Sequence, residues 1–147
     1  MKTLLIAVTL LAGTFTKSFA TGTPVVEPTV LKSFQSTFAS ATEVAWSTTA
    51  QGLYKAVFFL NGQAITAYYN EDGTMQALTR HISVNSLPML LQTALKNAHK
   101  EKWISDVFEV TNDNGLQYYV TLEDANTKVI LKSAFNTWST FQKQRKE

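Results

Sequence analysis

The side chains able to do acid–base or metal chemistry are few and scattered. His81 and His99 are the only imidazoles. They fall in different expected elements and lack the His-x-x-x-His spacing that sets two ligands on one helix face. Isolated histidines of this kind read as surface or hydrogen-bonded structural groups. Glu71-Asp72 is an adjacent carboxylate pair, but it precedes Gly73, the context of a solvated turn. Asp113 and Asp124 also stand in turn-like sequence. No twelve-residue loop carries the alternating oxygen ligands and closing Glu of a calcium site. There is no Gly-x-Ser-x-Gly elbow, and the six dispersed glycines form no phosphate loop. Cysteine is absent, which excludes a disulfide scaffold, a thiol nucleophile, a thiolate metal site and a lipid-modified N-terminal Cys. No catalytic residue, metal ligand or cofactor is assigned, and the chain reads as a non-enzyme.

The elements that must position anything functional begin after an export signal. Lys2 precedes an apolar run from Leu4 to Ala12, broken only by Thr9, and Ser18-Phe19-Ala20 supplies the small residues that signal peptidase needs. The run is too short to span a bilayer, which takes about 20 apolar residues. Residues 1–20 are therefore expected to be a cleaved signal peptide, leaving an exported chain, periplasmic or secreted, with no membrane insertion after cleavage. The 147 residues carry a formal charge of +2, but loss of Lys2 and Lys17 leaves 11 bases and 11 acids. A neutral chain has no long-range electrostatic motive to bind nucleic acid or anionic lipid. Low charge (16%) and high aromatic content (12%) argue against disorder.

Residues 21–28, with two prolines, read as an extended leader. Thr29 is a candidate cap for a helix with Val30, Leu31, Phe34, Phe38 and Ala41 on one stripe. Strand-like runs follow at 43–47, 53–60, 63–69 and 74–82. Asn61-Gly62 between two of them is a strong hairpin signal, because a type I′ turn needs positive φ at both central residues. The order then repeats. Ser86 is a candidate cap, Pro88 sits in the first turn, and Leu87, Leu91, Ala94, Leu95 and Ala98 form a buried stripe. Strands are expected at 103–111, 116–123, 127–134 and, by analogy, 137–143. Tyr54, Ala56 and Phe58 correspond to Tyr118, Val120 and Leu122. Trp46, Trp103 and Trp138, at strand positions, are expected in the core. The expected fold is α+β, with two tandem α-β-β-β-β units (about 29–83 and 84–144, in a domain of 29–147) forming an antiparallel sheet with helices packed on one face.

Several stretches resemble a known family. Ala41-Thr42-Glu43-Val44-Ala45-Trp46, Gly52-Leu53-Tyr54-Lys55-Ala56-Val57-Phe58, Asn61-Gly62 and Ala67-Tyr68-Tyr69-Asn70-Glu71-Asp72-Gly73 are similar to the PepSY-like family of exported Bacteroidetes proteins. Ser86-Leu87-Pro88 and Gly115-Leu116-Gln117-Tyr118-Tyr119-Val120 match as well. The resemblance covers about residues 29–144. It implies a fold like that of β-lactamase inhibitor protein, whose tandem α/β units form one concave sheet, and no catalytic site. No inhibitory motif is matched, so inhibition is not implied. Asn136-Thr137 departs from the Asp-Gly turn usual at that place.

The Asn61-Gly62 turn predicts the pairs Leu60–Gln63, Phe58–Ile65, Ala56–Ala67 and Tyr54–Tyr69 on one face, read as the core. The other face holds Lys55, Val57, Phe59, Ala64, Thr66 and Tyr68, and in the second half Gln117, Tyr119, Thr121 and Glu123. A partly aromatic open face suits a binding surface. The candidate contact residues are Lys55, Val57, Phe59, Thr66, Tyr68, Tyr119 and Thr121. The expected function is a non-enzymatic exported binding protein, an inhibitor or interaction module of the cell envelope, whose partner is an envelope protein or peptide. The alternative is an envelope small-molecule or metal binder with an aromatic-lined pocket between the two repeat units.

Overall fold

A type I′ turn at Asn61-Gly62 (φ 52° and 76°) closes the first hairpin. It joins β2 (Tyr54–Leu60) to β3 (Gln63–Tyr69) in the register expected, with Leu60 opposite Gln63 and Tyr54 opposite Tyr69. The computed structural model describes residues 24–147; the expected signal peptide lies outside them. Before this hairpin come α1 (Pro28–Thr37) and β1 (Thr42–Thr48), and after it β4 (Met75–His81). A single 3-10 turn (Val84–Ser86) leads to α2 (Met89–Ala98). Then follow β5 (Trp103–Asn112), β6 (Gly115–Glu123), β7 (Thr127–Ala134) and β8 (Thr137–Arg145). The last segment is thus a strand.

The expected α+β class, with two α-β-β-β-β units and helices packed on one face, is overturned. The chain is mostly one eight-stranded antiparallel sheet in the order β1 to β8, with two helices of ten residues each. The reason lies at the junction. Ala77 to His81 of β4 pair with Asn112 to Phe108 of β5. That ladder satisfies backbone groups which two separate sheets would leave as open edges. Each helix adds only a few buried side chains, Val30 and Phe34 from α1 and Leu91 and Leu95 from α2.

Burial divides into three clusters. Val30, Phe34 and Phe38 meet Ala56, Phe58, Ile65, Ala67 and Tyr69. Leu87 and Leu95 meet Val107, Val120, Leu122, Val129 and Leu131. Ala77, Phe108, Val110 and Tyr119 form a third cluster, on the face of the sheet opposite the other two. Two capping expectations also fail. Glu27 and Pro88 occupy the cap positions, without side-chain cap bonds. Proline's fixed φ suits a helix start, and this leaves Thr29 inside α1, where its hydroxyl donates to the Glu71 carbonyl at 3.0 Å. Trp46 and Trp138 join the clusters as expected. Trp103 does not: it is half exposed, with the Lys146 ammonium 4.9 Å above its ring.

Candidate functional site on the helix-free sheet face

Register places all seven candidate residues on the face away from the helices. Lys55 pairs with Tyr68 and Val57 with Thr66. Thr66 lies beside Thr79, and Tyr68 beside Ala77. Thr79 continues to Val110, and His81 to Phe108. Phe108 faces Tyr119, which faces Lys132, and Thr121 faces Ile130. Alternation along each strand does the rest, since side chains two residues apart share a face.

The seven are not equally accessible. Val57 and Phe59 are 36% and 38% exposed, whereas Tyr119 and Thr121 are 4% and 5% exposed. Lys55, Thr66 and Tyr68 are half-buried. The candidates therefore split. Those on β2 and β3 present surface, while those on β6 sit among neighbours, four and three strand spacings of about 4.8 Å away respectively. Tyr119 stacks on Phe108 with ring centres 5.1 Å apart and planes 1° from parallel. Phe141 meets Tyr119 edge-on at 5.4 Å. Burial pushes the Tyr68 and Tyr119 phenols up from their ordinary range, so both remain neutral donors. Phe108, Val110, Thr79 and Phe141 complete this face and were not among the sequence candidates. Phe108 and Val110 alternate with charged Glu109, a signal that becomes readable only once β5 is paired with β4.

The ionisable groups are arranged for structure. His81 Nδ1 lies 2.8 Å from Asp106 Oδ1 on the exposed surface. The nearby Ser83 and Ser86 hydroxyls bond each other at 3.0 Å. Arg80 pairs with Glu109 and donates to the Gln63 side-chain oxygen at 3.0 Å. Asp72 accepts from the Thr74 N–H at 2.8 Å, which holds its carboxyl below the usual range. Asp124 accepts from the backbone of Asn126 and Thr127, the Thr127 hydroxyl and Lys102, and its pKa falls far below the ordinary value, Lys102 being the main cause. Among the described residues, no group of three or more His, Asp or Glu is placed to hold a metal. A recess of about 360 Å³ lies at the β4–β5 junction, lined by Gln63, Arg80, His81, Ile82, Ser83, Ser86 and Glu109. Apart from Ile82 its lining is polar, in contrast to the aromatic pocket expected between the halves.

With this geometry the solved relatives become informative. A protein of Bacteroides eggerthii DSM 20697, provisionally described as periplasmic, superposes with a TM-score of 0.73 at 13% identity, covering 83% of this chain and 90% of its own. A DUF2874 family protein from Bacteroides ovatus ATCC 8483 gives 0.70 at 19% identity, covering 81% and 87%. A BLIP-like protein from Bacteroides fragilis NCTC 9343 gives 0.70 at 18% identity, covering 85% and 89%. What these likenesses show is the fold, one like that of β-lactamase inhibitor protein. No family model matches the chain, and no curated protein matches it. No described helix is long and apolar enough to cross a membrane.

Proposed function

We propose that the chain is an exported, non-enzymatic binding module of the cell envelope that takes a protein or peptide on its helix-free sheet face. The observation that carries this is the register-aligned patch of Val57, Phe59 and Tyr68, where apolar side chains stay accessible on a continuous sheet. Aromatic and aliphatic anchors of this kind concentrate binding energy at interfaces. Lys55 and Thr66 border the patch and supply polar contacts at its rim. The provisional periplasmic description of one relative and the resemblance to PepSY-like proteins support an envelope location. The BLIP-like name of another relative supports a protein partner.

The test is capture from the native envelope fraction by processed protein, beside a Phe59→Asp/Tyr68→Asp variant of equal thermal stability. A partner retained by the first and lost by the second is expected. Equal retention by both overturns the assignment of this face.

A further inference from the structure

The surface beside α2, on the opposite side of the sheet, has a different chemistry. A groove of about 700 Å³ runs between α2 and the strands β5 and β6. That volume lies within the range of small-molecule sites, about 300–1,000 Å³. Leu95 and Leu122 form its buried floor, and Val84, Met89 and Ile104 its apolar walls. Met89 and Ile104 are large hydrophobic side chains left 80% and 37% exposed. Lys96, Lys100 and Lys102 also line the groove, with the neutral polar side chains of Asn85, Gln92 and Thr93 and the His99 imidazole, and none of the described lining residues is acidic. Lys102 is taken by Asp124. Among the described residues, Lys96 and Lys100 form no salt bridge.

We propose that this groove binds a free fatty acid of medium or longer chain, the alkyl chain along Leu95, Ile104, Met89 and Leu122 and the carboxylate at Lys96 and Lys100. Charge complementarity selects the head group: unpaired cations at the edge of an acid-free apolar trough suit a single anion with a hydrocarbon tail. The lining contains no Phe, Tyr or Trp to stack a nucleobase. A bare inorganic anion would leave the apolar walls in water. Methionine's flexible thioether side chain suits a tail of variable length. The inference is independent of the sheet-face reading, since the two surfaces lie on opposite sides of the sheet and share no residue.

Laurate and octanoate, titrated below their micelle concentrations into processed protein by calorimetry, provide the test. Methylene burial strengthens binding by up to about fourfold per group, so laurate should bind at least about tenfold more tightly than octanoate. Dodecanol should bind more weakly than laurate. Lys96→Glu/Lys100→Glu should weaken laurate by about tenfold, with an unchanged circular dichroism spectrum. Ile104→Asp should weaken both acids. Amide NMR shifts on titration should cluster at Thr93 and Ile104 and spare Phe59 and Tyr68. Equal affinity for the two acids, indifference to the charge reversal, or binding confined to phosphatidylglycerol vesicles would each overturn the proposal, as would the absence of laurate binding. None of these outcomes touches the envelope-capture experiment.

Discussion

The two helix-associated clusters solve the same packing problem with different side chains. Around α1 the core is aromatic. Phe34 meets Phe58 at 5.0 Å and Trp46 at 5.2 Å, both edge to face, and Phe38 meets Phe58 at 4.7 Å. Around α2 the core is aliphatic, with Leu87 and Leu95 against Val107, Val120, Leu122, Val129 and Leu131. Its rings, Tyr118 and Trp138, are only partly buried at its margin, and the Trp138 indole N–H donates to the Leu91 carbonyl at 2.9 Å. Rings fill volume with few residues and hold each other by edge-to-face attraction. Leucines and valines fill less per position, and the flank of α2 is left as a groove. The contrast teaches that corresponding strand positions do not imply corresponding surfaces.

Substitutions can break the contrast. Phe58→Ala should cost most, about 3–5 kcal/mol by urea denaturation, because it removes the ring that Phe34 and Phe38 both touch. Leu122→Ala should cost about 2–4 kcal/mol, the smaller aliphatic counterpart; a larger loss than at Phe58 would reverse the ranking of the two cores. Gly73 tests how closely α1 approaches the sheet. It adopts φ +84°, and a Cβ there would lie 2.8 Å from the Thr29 carbonyl oxygen. Gly73→Ala should therefore destabilise by about 1–3 kcal/mol, and by more than Gly52→Ala, which meets the same positive-φ strain (φ +81°) but no clash of its added Cβ. Tyr69 carries a fully buried hydroxyl without a hydrogen-bond partner among the described residues. Tyr69→Phe should raise stability by about 1 kcal/mol, read as a higher melting temperature. The subtlest effect belongs to the second half. The Asp124 carboxyl is held below its ordinary pKa of about 3.9, so its contribution is present above that pH and lost as pH falls toward the folded value. Asp124→Asn should lower stability at neutral pH and make the decline below about pH 4 shallower, measured by denaturation across the acid range.

Much of the local structure was legible in the residues. The Asn61-Gly62 turn carried the register of β2 and β3, and the strand expected at 127–134, after turn-like sequence at Asp124, has the observed bounds of β7. The β4–β5 ladder was not legible, because its strands are separated by the 3-10 turn and α2, with no tight turn to align them. That ladder makes the molecule a single sheet. It also accounts for the split of the candidate face, since Phe108 and Val110 crowd around Tyr119 once β5 is in place. Threonine and serine ahead of apolar stripes suggested helix caps, but the caps lie two steps earlier for α1, at Glu27 before Pro28, and two steps later for α2, at Pro88. Trp103 escaped the core because the ladder shifts register between Ile104 and Asp106. The groove beside α2 was invisible in sequence for a related reason: it requires knowing which flank of the helix the sheet leaves uncovered.

The strand order has a kinetic consequence. Every ladder joins strands consecutive in the chain. Except for β4–β5, which must wait for the 3-10 turn and α2, each pairing closes a short connection, so loop-closure entropy is small at those steps. Chains dominated by such local contacts fold faster than Greek-key sheets of similar size. A polypeptide threaded through a membrane from its N-terminus could pair β1 to β4 one after another as it emerges, and β5 would find the open edge of β4 in place once α2 had followed.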